Sequence, residues 1–444
     1  MISGASINTI GVSRRTISSN RSANVKIMLI NPPSPYLDND LSYPPMGLLY
    51  LAGALKAQEY EVEVVELGGG TDWESKVKSL EGDVFGITCT TPNHAIVKKI
   101  ANLLRGRLVI IGGPHPTFLP EEVLEDIPCS AIVRGEAEVT LIQVLEDIKR
   151  NRLQQIYEGI PPELDLVPKP ARDLANLKAY SPGGTPGTSV YTSRGCIYNC
   201  AFCSKVTGKS FRRHSIGRIL EEVEECLDIG ISYIVFGDDN IGVDLPRLKK
   251  LLRALTKFDF RFRLNMSTPA IDEEAAHLAA EAGCTDISYG IESGSPKMLR
   301  LMRKAATRKQ NARAIALTKS AGMEAKAYFI VNFPGEDEAS VRETIDFARE
   351  TMPDKWLLSA FCPLPGSDTF RNPRKYGITW VSKRWEDYYL AGKGGRFKPC
   401  FETDNLSVAK QIELHDFLWN GLKGILDKKI RGNKNANLNQ KEAA

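Results

Sequence analysis

Short apolar runs alternate with amphipathic helical stretches twice along this 444-residue chain, and a proline-rich interval separates the two series. In the first series, residues 25–31, 61–66, 83–89, 107–111 and 131–134 read as strands, with helices around 47–58, 94–104 and 138–149. A strand that returns after a helix lies parallel to its predecessor, and a sheet built this way is covered on both faces. Residues 25–150 are therefore expected to form an α/β, doubly wound, Rossmann-like domain that binds ligands beyond the carboxyl ends of its strands.

The second series runs through strands at 189–193, 233–237, 261–265, 286–291, 325–331 and 356–360, with helices at 216–228, 245–256, 272–282, 307–321 and 338–350 between them. Its strand–helix units fit a partial (β/α)6 barrel over 187–375, with chemistry at the carboxyl ends of the strands. The interval 151–186 holds Pro161, Pro162, Pro168, Pro170 and Pro182 and is expected as an irregular linker. After Tyr376 the chain turns aromatic and basic, with Trp380, Trp385, Tyr388, Tyr389, Arg396 and Phe397. Residues 376–427 are expected to cap the open side of the barrel. Residues 1–24 read as a disordered tail or over-extended start in preference to a targeting peptide, and 428–444 as a frayed tail.

A formal charge of +4 advertises no strong field for nucleic acid, and no apolar run approaches the ~20 residues of a membrane span. The nine cysteines lack the dense, even pattern of a disulfide framework, which implies a reducing, cytoplasmic setting.

Three of them, Cys196, Cys200 and Cys203, fall in one short run, Thr192-Ser-Arg-Gly-Cys-Ile-Tyr-Asn-Cys-Ala-Phe-Cys-Ser204. A closed zinc or iron–sulfur site takes four protein ligands, whereas a cubane held by three cysteines leaves one iron open. Gly195 permits the tight backbone such a loop needs, and Phe202 is placed to offer a flat apolar face beside the open iron. A non-catalytic zinc-binding module is the competing reading of the same three thiols.

This run resembles the signature of the radical S-adenosylmethionine (SAM) superfamily. The resemblance implies that Cys196, Cys200 and Cys203 hold a [4Fe-4S] cluster whose open iron chelates SAM, with Phe202 near the adenine. Phe236-Gly-Asp-Asp-Asn240 ends the second barrel strand, where Asp238 and Asp239 are candidates for the SAM amino group, helix capping being the plainer role. Tyr289-Gly-Ile-Glu-Ser-Gly-Ser295 closely matches a family motif, and by it Glu292 and Ser293 face the ribose or amino-acid end of SAM. Tyr328-Phe-Ile-Val-Asn-Phe-Pro-Gly-Glu336 resembles the adenine-contacting strand, with Asn332 where glycine is more usual. Pro363-Leu-Pro-Gly-Ser-Asp-Thr369 matches a family turn that is structural, and Cys362 beside it reads more readily as a buried thiol than as a catalytic one.

The glycine- and proline-rich loops of the first series, among them Gly112-Gly-Pro-His-Pro-Thr117 and Arg134-Gly-Glu-Ala-Glu138, resemble the cobalamin-binding domain that precedes many radical SAM enzymes. On that resemblance Gly112, Gly113 and His115 lie against the corrin. The Asp-x-His-x-x-Gly run that supplies a lower axial histidine is absent, so cobalt without a histidine ligand is expected.

The resemblance implies reductive cleavage of SAM to a 5′-deoxyadenosyl radical, most commonly followed in this family by methylation of an unactivated carbon. Oxidative ring formation, as in the anaerobic Mg-protoporphyrin monomethyl ester cyclase, is the alternative. It also implies an external electron donor of flavodoxin or ferredoxin type. A tRNA methylthiotransferase would need further cluster cysteines in the first domain, where only Cys89 and Cys129 lie. The substrate, whether small molecule, lipid or peptide, is not written in these motifs.

Overall fold

The computed structural model describes residues 25–70, 72–182 and 185–442, with side chains described as far as residue 425; the segment 1–24, read above as a tail, lies outside the described residues. Six strands form the first sheet: β1 (Lys26–Asn31), β2 (Glu61–Glu66), β3 (Val84–Thr88), β4 (Leu108–Gly112), β5 (Ala131–Arg134) and β6 (Ile156–Glu158). Their order is β2-β1-β3-β4-β5-β6, every pair parallel. Alternation along β1 shows why the sheet is covered on both faces: Met28 and Ile30 join one apolar cluster, Ile27 and Leu29 the other.

β6 lies in the stretch read as linker. At three residues it is too short to announce itself by periodicity, yet Val133 and Arg134 pair with Tyr157 and Glu158 and extend the sheet. The rest of that stretch is an ordered strap. Arg172 Nη2 donates to Ser189 O at 2.8 Å and to Glu222 Oε1 at 2.6 Å, while Tyr50 of the first-domain helix Met46–Lys56 donates to the same carboxylate. All three side chains are buried. The strap also lies tight on that helix, since a Cβ on Gly53 would fall 2.0 Å from Lys169 O.

The second sheet follows as β7 (Thr188–Val190), then the short antiparallel pair β8 (Ser193–Arg194) and β9 (Arg212–Arg213), then β10 (Tyr233–Phe236), β11 (Arg261–Met266), β12 (Cys284–Glu292), β13 (Glu324–Val331) and β14 (Lys355–Ala360). Six of these, in the order β14-β13-β12-β11-β10-β7, form an all-parallel open barrel wall. Ile234, Phe236, Phe262, Leu264, Ile287, Tyr289, Ala325, Ala327 and Phe329 join the core shared with the helices. Period-two alternation therefore aims the intervening Arg263, Asp286, Ser288, Lys326 and Tyr328 inward. Helix Arg308–Ser320 starts on a reciprocal Thr307/Gln310 capping box and helix Glu338–Thr351 on an Asp337/Ser340 one.

Beyond the barrel come the hairpin β15 (Ile378–Val381) and β16 (Phe401–Thr403) and the helix Val408–Glu442, which continues through the polar segment read as a tail. Trp419 on this helix meets Trp356 of β14 edge-on, and Gly421 sits against Ile345. The cap also reaches the first domain: Tyr389 stacks on Tyr36, and Trp385 Nε1 donates to Glu122. No helix among the described residues is long and apolar enough to cross a membrane.

Candidate active site

The cysteine loop leaves the hairpin strand β8. Gly195 turns it with φ +89°, and a Cβ there would fall 2.2 Å from Ser210 O, so only glycine fits. The loop is pinned along its length: Ala201 N donates to Met302 O at 2.9 Å, Ser204 Oγ to Pro365 O at 2.6 Å and Lys205 Nζ to Cys196 O at 3.1 Å. Cys196 and Cys200 are half-buried, Cys203 is exposed, and all three are free thiols. Lost hydration, and after it the charges of Glu292 and Cys196, raise the Cys200 thiol against the pull of Lys304 and Lys205. All three thiols sit on this one pinned loop, and a bound metal would reverse the effect of burial by deprotonating them. The donor set therefore fits a three-cysteine cluster. Phe202 packs at the edge of the barrel core beside it.

Glu292 ends β12 under unusual backbone control. The register shifts between Gly290 and Glu292, a bulge that re-aims the side chain, and Glu292 itself has φ +63°. Its Oε1 receives Lys304 Nζ at 2.8 Å, with side-chain exposures of 9% and 11%. Burial alone would lower the Lys304 pKa, but Glu292 and Cys200 outweigh it and raise the pKa. A Cβ on Gly290 would lie 2.4 Å from Glu292 Oε1 and 2.8 Å from Lys304 Nζ, so this glycine makes room for the pair. Lys304 belongs to no motif read in the sequence. Its only signal is a lysine twelve residues after the family carboxylate, which has no meaning until the chain is folded.

The two carboxylates after β10 hold the loop. Asp238 is buried and accepts Thr192 N at 3.1 Å and Thr192 Oγ1 at 2.8 Å, together with Ser193 Oγ. Asp239 Oδ2 accepts Gly195 N at 2.9 Å and Thr207 Oγ1 at 2.7 Å, leaving Oδ1 without a hydrogen bond among the described residues. The expectation that Asp238 receives the SAM amino group does not describe its surroundings, because its acceptors are spent on the cysteine loop.

Ser293 is likewise turned outward, to Thr344 Oγ1 at 2.9 Å on helix Glu338–Thr351. Asn332 has φ +69°, a left-handed position where asparagine is the common substitute for glycine. Its N–H donates to Glu336 and its Nδ2 to Gln411 O at 3.1 Å, so the side chain is committed to the C-terminal helix. Burial pushes the Glu336 carboxyl up to about 8, against the Asn332 N–H. Cys362 is buried with its Sγ 3.2 Å from Cys400 Sγ, as fits a packed thiol.

At the carboxyl end of the first sheet, Gly112 has one atom, Val133 O at 3.7 Å, near its would-be Cβ, and Gly135 has none within 4 Å. These two positions leave open space where a flat ligand can approach backbone, which fits a corrin. Gly113, with φ +104°, is packed against Thr88 and Cys89. His115 is fully buried, edge-on to Trp385 with ring centroids 5.0 Å apart. Contact with a corrin face, expected from the sequence, is closed to His115 because the cap covers it.

The two strand-end regions face one another. Arg194, beside Gly195 of the cysteine loop, ion-pairs with Glu136 and Glu138 of the loop after β5 at 2.6 Å each, and Arg212 of β9 pairs with Glu136 as well. Arg194 further covers the Tyr50 ring. Side-chain exposures of 11%, 9% and 8% make this a buried clamp.

Comparison with known proteins agrees with this arrangement. The radical SAM superfamily model matches residues 190–348 and the B12 binding domain model residues 40–145. The uncharacterized methyltransferase PH0819 of Pyrococcus horikoshii is 31% identical over 376 residues, which cover 77% of this chain and 82% of the relative. An anaerobic magnesium-protoporphyrin IX monomethyl ester cyclase of Rubrivivax gelatinosus is 28% identical over 372 residues, covering 74% and 66%. The solved structure of the radical SAM methyltransferase TsrM of Kitasatospora setae, with cobalamin and a [4Fe-4S] cluster bound, superposes with TM-score 0.70 at 17% identity over 89% of this chain and 91% of that one.

Proposed function

From a chain that belongs to the cobalamin-binding radical SAM family, we propose an enzyme that transfers a methyl group from SAM to an unactivated carbon. In this family the cluster supplies the electron that cleaves SAM to a 5′-deoxyadenosyl radical, and cobalamin carries the methyl group. Cys196, Cys200 and Cys203 would hold the cluster, and Gly112 and Gly135 would border the corrin, with Gly113 packed behind them. Of the candidate SAM contacts, Phe202, Glu292 and Asp239 Oδ1 remain open to it, and Lys304 joins them. A carboxylate paired with an ammonium beside the open iron can position the amino-acid end and ribose of SAM. The pair is nearly enclosed, with each side chain about one-tenth exposed, so its charges balance within the site.

The observation that carries this reading is the clamp of Arg194 between Glu136 and Glu138, which sets the cysteine loop against the strand ends of the first sheet. A radical made on one side then has only a short way to a methyl donor on the other. The division into a first domain that runs past the expected end at 150 to take in β6, a strap, a barrel over 187–375 and a cap follows the same reading. So do a flavodoxin- or ferredoxin-type electron donor and a cytoplasmic setting.

The test is product stoichiometry under strict anaerobiosis with cluster, cobalamin and a chemical reductant. Methyl transfer consumes two SAM and releases S-adenosylhomocysteine together with 5′-deoxyadenosine. A ring-forming enzyme of the kind suggested by the cyclase relative releases 5′-deoxyadenosine alone, and that result would replace methylation with cyclisation. Failure to acquire iron and sulfide would return the loop to the zinc reading.

A further inference from the structure

At the carboxyl ends of β3 and β4, under Trp385 of the cap, two buried histidines lack partners for one ring nitrogen each among the described residues. His94 opens helix His94–Leu103 and His115 follows β4; they are 4% and 0% exposed, and their rings meet edge to face at 4.9 Å. Neither Nε2 has a hydrogen bond in the structure. Asp126 Oδ2 lies 3.7 Å from His94 Nε2, beyond hydrogen-bond reach. Leaving two such atoms dry and unpaired costs roughly 1–3 kcal/mol each, so a ligand is the natural occupant. Glu122, from the helix Pro120–Asp126, joins them: one ring nitrogen of each histidine and one Glu122 carboxylate oxygen lie within 4.8 Å of one another.

We propose that His94, His115 and Glu122 bind one divalent cation of the zinc class, between the first domain and the cap. Two imidazole nitrogens and one carboxylate are a familiar zinc donor set, with a fourth position left for water or for Asp126. The outer contacts suit the role. His115 Nδ1 lies 3.2 Å from Thr91 Oγ1, and a hydrogen bond donated there directs the Nε2 lone pair at the site, as the second contact of a metal-bound histidine does. Burial keeps both imidazoles neutral and able to ligate. Glu122 also accepts the indole N–H of Trp385, so a cation here ties the cap, through one carboxylate, to β4 and helix His94–Leu103. The site stands independently of SAM chemistry.

The measurement is zinc content of the cluster-reconstituted full chain, stripped with a chelating resin, dialysed against zinc chloride and passed through gel filtration. The cysteine loop itself can take zinc, so the Cys196→Ala/Cys200→Ala/Cys203→Ala variant is measured in parallel. One zinc per chain is expected in both proteins. Affinity should fall at least ~10-fold in His115→Gln and in Glu122→Gln; the latter keeps an acceptor for Trp385 and is the variant expected to fold unchanged by circular dichroism. Cobalt(II) in the cysteine-free variant should show a tetrahedral ligand-field band without thiolate charge transfer. Absence of zinc in the cysteine-free variant, or zinc retained equally by the folded Glu122→Gln and His115→Gln proteins, would overturn the assignment.

Discussion

Lys304 and Gly290 act together at the scale of single residues. The lysine neutralises Glu292 in a pocket where each side chain is about one-tenth exposed, and the glycine leaves the space in which they meet. Lys304→Met strands the carboxylate and should cost ~3 kcal/mol of stability, read by denaturant titration of the apoprotein. The cluster absorbance should survive while the KM for SAM rises. Gly290→Ala should reproduce the KM effect. Unchanged SAM kinetics in both variants would remove the pair from the site. Glu336 makes a separate case, because its folded carboxyl titrates at about 8 while an unfolded one does so near 4.5. The folded state holds the extra proton between those values, so stability is greatest at the acid end of the window and declines as pH rises through it. The slope is at most ~1.4 kcal/mol per pH unit, and Glu336→Gln should flatten the wild-type curve of Tm against pH between 5 and 8.

Among the elements, the strap is the one whose role the sequence concealed. Its prolines announce an interrupted backbone, and that much is true, yet the buried triad of Tyr50, Arg172 and Glu222 joins three segments that periodicity treats separately. Glu222→Ala leaves the Arg172 guanidinium buried without its anion and should cost ~3–5 kcal/mol, measured by urea unfolding. A change below ~1 kcal/mol would mean that water already reaches the pair. The strands and helices on either side were legible because long runs repeat at period 2 or 3.6, whereas three-residue β6 carries too little pattern to read. Residue roles were legible only where a motif states them. A motif singles out the cysteines and Glu292 as candidates, but a carboxylate at a strand end looks the same whether it faces a ligand or, like Asp238, the segment that leads into the cysteine loop. Asn332 shows the same limit in reverse. The motif marks the left-handed backbone, and the fold decides that the side chain goes to Gln411.

For the molecule as a whole, the central question is how two sheets of independent design keep their strand ends at a fixed separation. The strap fixes one side through Arg172, the cap fixes another through Trp385 and Tyr389, and the Arg194 clamp fixes the centre. The clamp alone touches both the loop after β5 and the hairpin from which the cluster loop springs, so it should govern coupling more than stability. Because Arg212 also reaches Glu136, removal of that carboxylate takes the only acidic partner from Arg212 among the described residues and leaves Arg194 with Glu138 alone. In Glu136→Ala the cysteine loop keeps its own anchors, Asp238 and Asp239. SAM cleavage should therefore continue while transfer falters. The expected result is 5′-deoxyadenosine formed at near the wild-type rate, with S-adenosylhomocysteine and methylated product reduced by about 10-fold or more, the scale on which an ångström of misplacement acts. Parallel loss of both products would place the clamp in cluster assembly instead, and equal retention of both would show that the strap and cap suffice to hold the two sheets in register.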